Sequence, residues 1–253
     1  MPKPPAISVI IPAYNESRRL IPTLDRVLEH PWLGEQAEII VVDDGSTDHT
    51  FALASQCLAG HPLAKVLRLE RNAGKGAAIR RGVKEATGDK VLFMDADLAT
   101  SLNAVGPMID RLEADDVVVG SRSHEDSVVT GRSRSRAVMH RAFSAPARQV
   151  TGLKVSDPQC GFKGFRADAA KELFQRSLVN GYTIDVELLM IAGRLGMSIS
   201  EIPVQWRAVE GSKIRAVRDP LAMAADVAKL RYRNRQRLGG RRLDAPDAPK
   251  AAA

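Results

Sequence analysis

The chain has little of several things. It holds two cysteines, Cys57 and Cys160, distant in sequence and in no CxxC pair. That excludes a cysteine-ligated structural zinc site and points to a reducing compartment. Aromatic residues make up 4% of the sequence and are not interleaved with basic ones, so no platform exists for stacking nucleic-acid bases. No apolar run approaches the roughly 18 residues that span a bilayer. The opening stretch, MPKPPAISVIIPAYNES, has too short an apolar run for a signal peptide and breaks it at Pro12. Neither GxGxxG nor GxxxxGK(S/T) occurs, which removes dinucleotide oxidoreductases and P-loop enzymes from consideration. No internal repeat is visible. The expectation left standing is a water-soluble, cytoplasmic protein that does not bind nucleic acid.

What is present is an alternation. Across 253 residues, 44% of them hydrophobic, there is enough apolar material for a substantial core. Four short apolar runs, Ile7–Ile11, Glu38–Val42, Lys65–Leu69 and Lys90–Met94, read as strands, and a fifth covers Asp116–Val119. Between the third and fourth, Ala78, Ile79, Gly82, Val83 and Ala86 fall at helical spacing, with Gly88 as the stop. Strand and helix in turn predict an α/β fold with a mostly parallel, Rossmann-like sheet and helices on both faces. In such sheets ligands gather beyond the carboxyl ends of the strands. Those ends read PAYNES, DDGSTD, RNAGKG, DADLAT and GSRS: all five are polar, charged or glycine-bearing, and together they predict a site.

The second half is less regular. DPQCGFKGFRADAAKELF predicts a strand and a helix, and TIDVELLMIAGRLG a further helix. ISEIPVQW reads as a late strand that Pro203 confines to an edge. Residues 1–215 are expected to form the catalytic domain and residues 216–238 a basic amphipathic helix, with 239–253 a disordered tail. The net charge of +7 is concentrated from Lys229 onward, in KLRYRNRQRLGGRRL. Such a run either meets an anionic membrane surface or is simply solvated.

Individual motifs carry the chemistry. Asp95 and Asp97 follow a buried strand directly. Two carboxylates one residue apart either form a solvated loop or hold a divalent cation, Mg²⁺ or Mn²⁺, against a diphosphate. The other polar loops at the same edge favour the cation. Ser46 and Asp48 suit helix capping, but capping does not account for the adjacent Asp43 and Asp44, where a carboxylate can accept the imide N–H of a uracil. Lys75, at a helix start, can meet a phosphate. Arg122, Arg132, Arg134 and Arg136 either form a solvated basic loop or grip an anionic acceptor, a task for which guanidinium is well shaped. In IDVELL, Asp185 and Glu187 lie on different helical faces, and Asp185 is the one placed to point into a site.

Together VIIPAYNE, VVDDGSTD, RNAGKGAAIRRG, DADLAT, GSR, DPQCGFKGF, DVELL and EGSK, spread over Ile7 to Lys213, resemble the inverting glycosyltransferases of the A-type fold, family two. Within it they resemble the polyprenyl-phosphate hexose synthases. The resemblance implies that Pro12, Ala13, Tyr14 and Glu16, with Asp43, Asp44, Lys75 and Ala96, line the nucleotide-sugar site, and that Asp95 and Asp97 hold the metal. It further implies that Arg122, Arg132, Arg136 and Ser212 take the acceptor phosphate and that Arg207 and Lys213 close over the reacting groups. Mannosyl members continue the aspartate motif with Leu-Gln-His-Pro. Here the same place reads Leu98, Ala99, Thr100, Ser101, a variant similar to the glucosyl branch. The activity implied is transfer of glucose from UDP-glucose to a polyprenyl (dolichyl-type) monophosphate, at the inner face of the cell membrane. A mannosyl transferase using GDP-mannose, and a nucleotide-sugar-binding protein without chemistry, are the rival readings.

Overall fold

The computed structural model describes residues 6–34, 36–131 and 155–209. The five apolar runs are strands: β1 (Ile7–Ala13), β2 (Ala37–Asp43), β3 (Ala64–Arg68), β4 (Lys90–Met94) and β5 (Val117–Ser121). Later come β6 (Val128–Thr130), β7 (Phe162–Arg166), β8 (Ile199–Pro203) and β9 (Gln205–Arg207). The described helices are α1 (Leu20–Leu28), α2 (Thr50–Cys57), α3 (Lys75–Glu85), α4 (Val105–Arg111), α5 (Ala167–Arg176) and α6 (Ile184–Arg194).

Seven strands form one sheet in the order β3-β2-β1-β4-β7-β5-β8, and β6 pairs with β9 in a small second sheet. Every pairing in the large sheet is parallel except those of β7, which runs antiparallel to both β4 and β5. A reading built from strand–helix alternation does not anticipate that insertion: β7 follows β5 in the chain yet enters the sheet between β4 and β5. β8, with Pro203 as its last residue, is an edge strand as its proline requires.

Period-2 alternation sends neighbouring side chains to opposite faces. Val9 and Ile11 of β1 join Leu20, Leu24 and Val27 of α1, Ala54 of α2 and Met108 of α4 in one core. Ile10, with Ile40 and Phe93, packs against Ala78 and Ile79 of α3, Leu173 of α5 and Leu188 of α6 in the other. Each fully buried Leu or Ile contributes about 1.5–3 kcal/mol, so both layers are held mainly by these stripes. Gly82 lets α3 lie close on the sheet, since a Cβ there would fall 2.6 Å from Ile10 Cγ2.

The amino edge is fastened by a buried carboxylate. Glu38 accepts from Ser8 Oγ (2.5 Å), Lys65 Nζ (2.6 Å) and the Thr87 N–H (2.8 Å). Burial opposes its charge, but those donors outweigh it and hold its pKa below the ordinary value. No helix among the described residues is long and apolar enough to cross a membrane. Arg132, Arg134, Arg136, Ser212, Lys213, the expected 216–238 helix and the 239–253 tail lie outside the described residues.

Candidate active site

The first four carboxyl-edge loops are tied to one another by hydrogen bonds and an ion pair. Bonds between the first and second include Asn15 N to Ser46 Oγ (2.9 Å), Thr47 N to Asn15 Oδ1 (2.8 Å), Glu16 N to Thr50 Oγ1 (2.7 Å) and Ser17 N to Asp48 Oδ2 (3.3 Å). Asn15 takes a left-handed backbone (φ 51°) to make this turn, a conformation asparagine tolerates better than most residues. Asp48 also accepts from the Thr50 N–H at 2.9 Å, at the start of α2. Ser46 turns to the neighbouring loop instead of capping the helix.

Asp44 joins the second loop to the third. Its two oxygens accept from Ala73 N and Gly74 N, each at 2.8 Å, and burial raises its pKa despite those bonds. Gly45 (φ +67°) is needed here, because a Cβ would lie 2.4 Å from the Arg71 carbonyl carbon. Asp43 is fully buried at the end of β2. Its Oδ2 is 3.1 Å from Arg68 Nε and 3.3 Å from Ser46 N, while Oδ1 is buried with no hydrogen-bond partner. Of the two adjacent aspartates, Asp43 is therefore the one with a carboxylate oxygen left over. Arg68 also lies over the Phe51 ring at 5.1 Å.

The third loop meets the fourth through Lys75. Its N-terminal amide groups do not form an open phosphate cradle: Gly76 N donates to Asn180 O at 2.7 Å, and a Cβ on Gly74 would lie 2.4 Å from that same oxygen. The Lys75 ammonium is directed to two carboxylates, Asp95 Oδ1 at 2.9 Å and Asp185 Oδ2 at 3.3 Å. Burial opposes its charge, and Asp185 and then Asp95 more than offset it, raising its pKa. Glu187, two residues beyond Asp185, instead accepts from Leu178 N and Val179 N.

Asp95, Ala96 and Asp97 leave β4 in a tight turn. Thr23 Oγ1 of α1 donates to the Ala96 carbonyl at 2.8 Å, Leu98 takes a left-handed backbone (φ 47°), and Ala99 N donates to Asp97 Oδ1 at 3.1 Å. Asp95 keeps 44% of its side chain exposed. Burial first, and the Asp95 charge second, raise the pKa of Asp97, the mark of a like-charged pair that a cation would relieve. Among the described residues no group of three or more His, Cys, Asp or Glu gathers to hold a metal. Two carboxylates with the remaining positions left to phosphate oxygens and water suit Mg²⁺, so these residues fit such an ion.

β1 lies between β2 and β4: Ala13 has Asp43 as its register partner on one side, and on the other the β4 pairing runs as far as Ile10 with Phe93, two residues before Asp95. Pro12 and Ala13 thus stand between the Asp43 and Asp95 loops, with Tyr14 and Glu16 following. Glu16 is bound by Arg19, whose Nη2 lies 2.7 Å from Oε2.

The fourth loop continues alongside β9, with a bridge between Thr100 and Trp206 and a bond from Arg207 N to Ala99 O at 2.8 Å. This places the exposed Arg207 beside the aspartate loop. Arg122, at the end of β5, binds the buried Asp157 through Nε (2.6 Å) and Nη2 (2.8 Å) and lies over Trp206 at 5.8 Å. Burial works against its charge, but Asp157 outweighs this and raises its pKa. Glu201 of β8 in turn accepts from Ser156 N (2.9 Å) and Asp157 N (3.2 Å).

The family model for glycosyl transferase family 2 matches residues 8–174, from β1 through most of α5. The chain belongs to that family. Among family 2 relatives, a dolichyl-phosphate β-glucosyltransferase of Dictyostelium discoideum is 34% identical over 244 residues, covering 90% of this chain and 74% of the relative. Proteins of the same name from Drosophila melanogaster (36% over 241 residues; 87% and 73% covered) and Homo sapiens (34% over 246; 90% and 75%) are similar to it as well. Among solved structures, glucosyl-3-phosphoglycerate synthase of Mycobacterium tuberculosis bound to phosphoglyceric acid superposes with a TM-score of 0.65 at 26% identity, covering 90% of this chain and 79% of that one. The same enzyme with Mn²⁺, UDP-glucose and phosphoglyceric acid gives 0.65 at 25% identity, with the same coverage.

Several participants were not singled out from sequence. Lys163, the buried charge of β7, is the most visible of them. Gly161, Thr23, Trp206 and Glu201 acquire their places only through tertiary contacts.

Proposed function

We propose that this chain transfers glucose from UDP-glucose to a polyprenyl monophosphate of the dolichyl type, with inversion at the anomeric carbon. The reading is carried by the Asp95–Asp97 pair at the end of β4, set across β1 from the unmatched buried oxygen of Asp43. The names of the relatives support the glucosyl and dolichyl-phosphate assignments. Complexes of the mycobacterial synthase with Mn²⁺, UDP and UDP-glucose support the donor and the metal.

In this reading Asp43 accepts the uracil imide N–H, and Pro12, Ala13, Tyr14 and Glu16 flank the nucleoside. Asp44 holds the loop after β3 in place, and Lys75 fixes Asp95. Asp95 and Asp97 hold Mg²⁺ or Mn²⁺, which when bound supplies positive charge to the diphosphate. An oxygen of the acceptor phosphate bonds to the anomeric carbon as the bond to the UDP oxygen breaks on the opposite face. A phosphate monoester has its second pKa near ~6, so the attacking group is largely ionised at neutral pH and needs little help from a base. Its approach to the diphosphate is the greater obstacle: two unit charges about 4 Å apart repel by ~4 kcal/mol at an effective dielectric of ~20. Arg122, Arg132 and Arg136, with Ser212, offset that on the acceptor side, and Arg207 and Lys213 close the site. The basic stretch from Lys229 docks on an anionic leaflet, where each Lys or Arg contributes about 1 kcal/mol.

The test is a donor panel of UDP-glucose, UDP-galactose, UDP-N-acetylglucosamine and GDP-mannose, each with polyprenyl phosphate, on the wild type and on Asp97→Ala. UDP-glucose turnover that Asp97→Ala abolishes is expected. Preference for GDP-mannose, or wild-type rates from Asp97→Ala in metal-replete buffer, refutes the assignment.

A further inference from the structure

We propose that Lys163 and Asp185 are positioning residues for the cation site: with Lys75 they form a buried chain of alternating charge that fixes the carboxylate of Asp95. The proposal rests on the reading of Asp95 and Asp97 as cation ligands. Lys163 sits in mid-strand on β7 with no exposed surface, and Asp185 lies in the first turn of α6, 3% exposed. The Lys163 ammonium lies 2.6 Å from Asp185 Oδ1, Asp185 Oδ2 lies 3.3 Å from Lys75 Nζ, and Lys75 Nζ lies 2.9 Å from Asp95 Oδ1. Both ammonium groups stand over the Phe93 ring, at 5.6 and 5.7 Å.

Packing alone gives no reason for this arrangement. A buried ion pair replaced by apolar side chains of similar volume is often no less stable, and the surrounding core of Phe93, Phe165 and Ile184 is apolar. The chain instead reaches the strand end from two sides. Through Lys75 it holds Asp95 Oδ1. Through Lys163, which donates to the Cys160 carbonyl at 2.5 Å, it also holds the backbone leading into Gly161, which abuts Asp95 Oδ2. One oxygen of the carboxylate is thus held by an ion pair, and the other faces a segment anchored by the same lysine–aspartate–lysine connection. Groups that orient metal ligands from behind typically govern affinity by about 10–100-fold.

The test uses the full chain with UDP and measures Mn²⁺ binding from the electron paramagnetic resonance signal of the free ion, with thermal melts of the same samples. Asp185→Asn is expected to weaken Mn²⁺ binding about 10–100-fold and to raise the Mn²⁺ concentration for half-maximal rate equally, while donor KM at saturating Mn²⁺ stays within about twofold. The charge-balanced Lys163→Met/Asp185→Asn double variant provides the same readout where the single one does not fold. Folded variants with wild-type Mn²⁺ affinity overturn the proposal and leave the cation reading intact. Failure of the wild type to bind Mn²⁺ with UDP overturns both. Turnover lost at saturating Mn²⁺ with affinity unchanged makes Asp185 a substrate contact and overturns the proposal, and failure of both variants to fold assigns the chain to stability alone and does the same.

Discussion

Substituting Gly161 with alanine isolates the geometry of one carboxylate. A Cβ at this position would lie 1.8 Å from Asp95 Oδ2 and 2.4 Å from its Cγ. Ordinary contact begins at 3.4 Å, so the carboxylate must move by about 1.6 Å. It can move, because the obstruction is the end of a side chain with 44% of its surface exposed and no backbone has to shift. Stability should hardly change. The lost ion pair to Lys75 is offset by the roughly 0.4–1 kcal/mol that a Gly→Ala change gains by restricting the unfolded chain. Activity should fall steeply, since a displacement of about 1 Å in a reacting constellation can cost ~10²-fold. The measurement is UDP-glucose turnover with polyprenyl phosphate at saturating Mn²⁺, alongside a thermal melt. A variant that melts like the wild type and is slower by about two orders of magnitude is expected. Wild-type turnover from a correctly folded Gly161→Ala protein refutes the placement of Asp95 in the reacting site.

Asp43→Asn should raise donor KM about 10–100-fold, the worth of a charged hydrogen bond of roughly 1.5–3 kcal/mol, and change kcat little; steady-state kinetics with UDP-glucose checks it. Asp44→Asn turns an amide donor toward Ala73 N or Gly74 N and should cost about 1–3 kcal/mol in urea unfolding. Asp48 has its pKa lowered from 3.8 to about 2, where burial is outweighed by hydrogen bonds from Thr50 and Ser17. The unfolded chain therefore takes up the proton first as pH falls. The stability margin of the wild type over Asp48→Asn, about 1 kcal/mol after solvent screening, should be complete above about pH 5 and vanish at about pH 1, below both pKa values. Arg132→Lys should mainly weaken use of the lipid phosphate, read as a raised acceptor KM with donor KM unchanged.

The first five strands were legible because parallel strands covered on both faces are nearly continuous apolar runs, each followed by a polar or glycine-bearing loop. Direction was not legible for β7: five residues, FKGFR, pack equally well either way, and only the pairing with Lys90–Met94 and Val117–Val119 fixes the choice. The aspartate pair could be placed at a strand end from sequence, since its location needs only local pattern. Which oxygen of which aspartate is left unmatched depends on Arg68, Ala73 and Gly74, and no local pattern contains that. Lys75 shows the same limit. A lysine opening a helix suggests a phosphate, but its partners are carboxylates from β4 and α6, 20 and 110 positions further on in sequence.

The late insertion of β7 has a consequence for synthesis. The neighbours of β5 in the sheet are β7 and β8, so a nascent chain that has emerged as far as Ser121 has nothing for that strand to join. Until about 45 further residues have left the ribosome, through Arg166, the half-built sheet ends at β4 with an open, apolar rim of the kind that recruits foreign strands. That rim is covered only when β7 adds to β4 and β5.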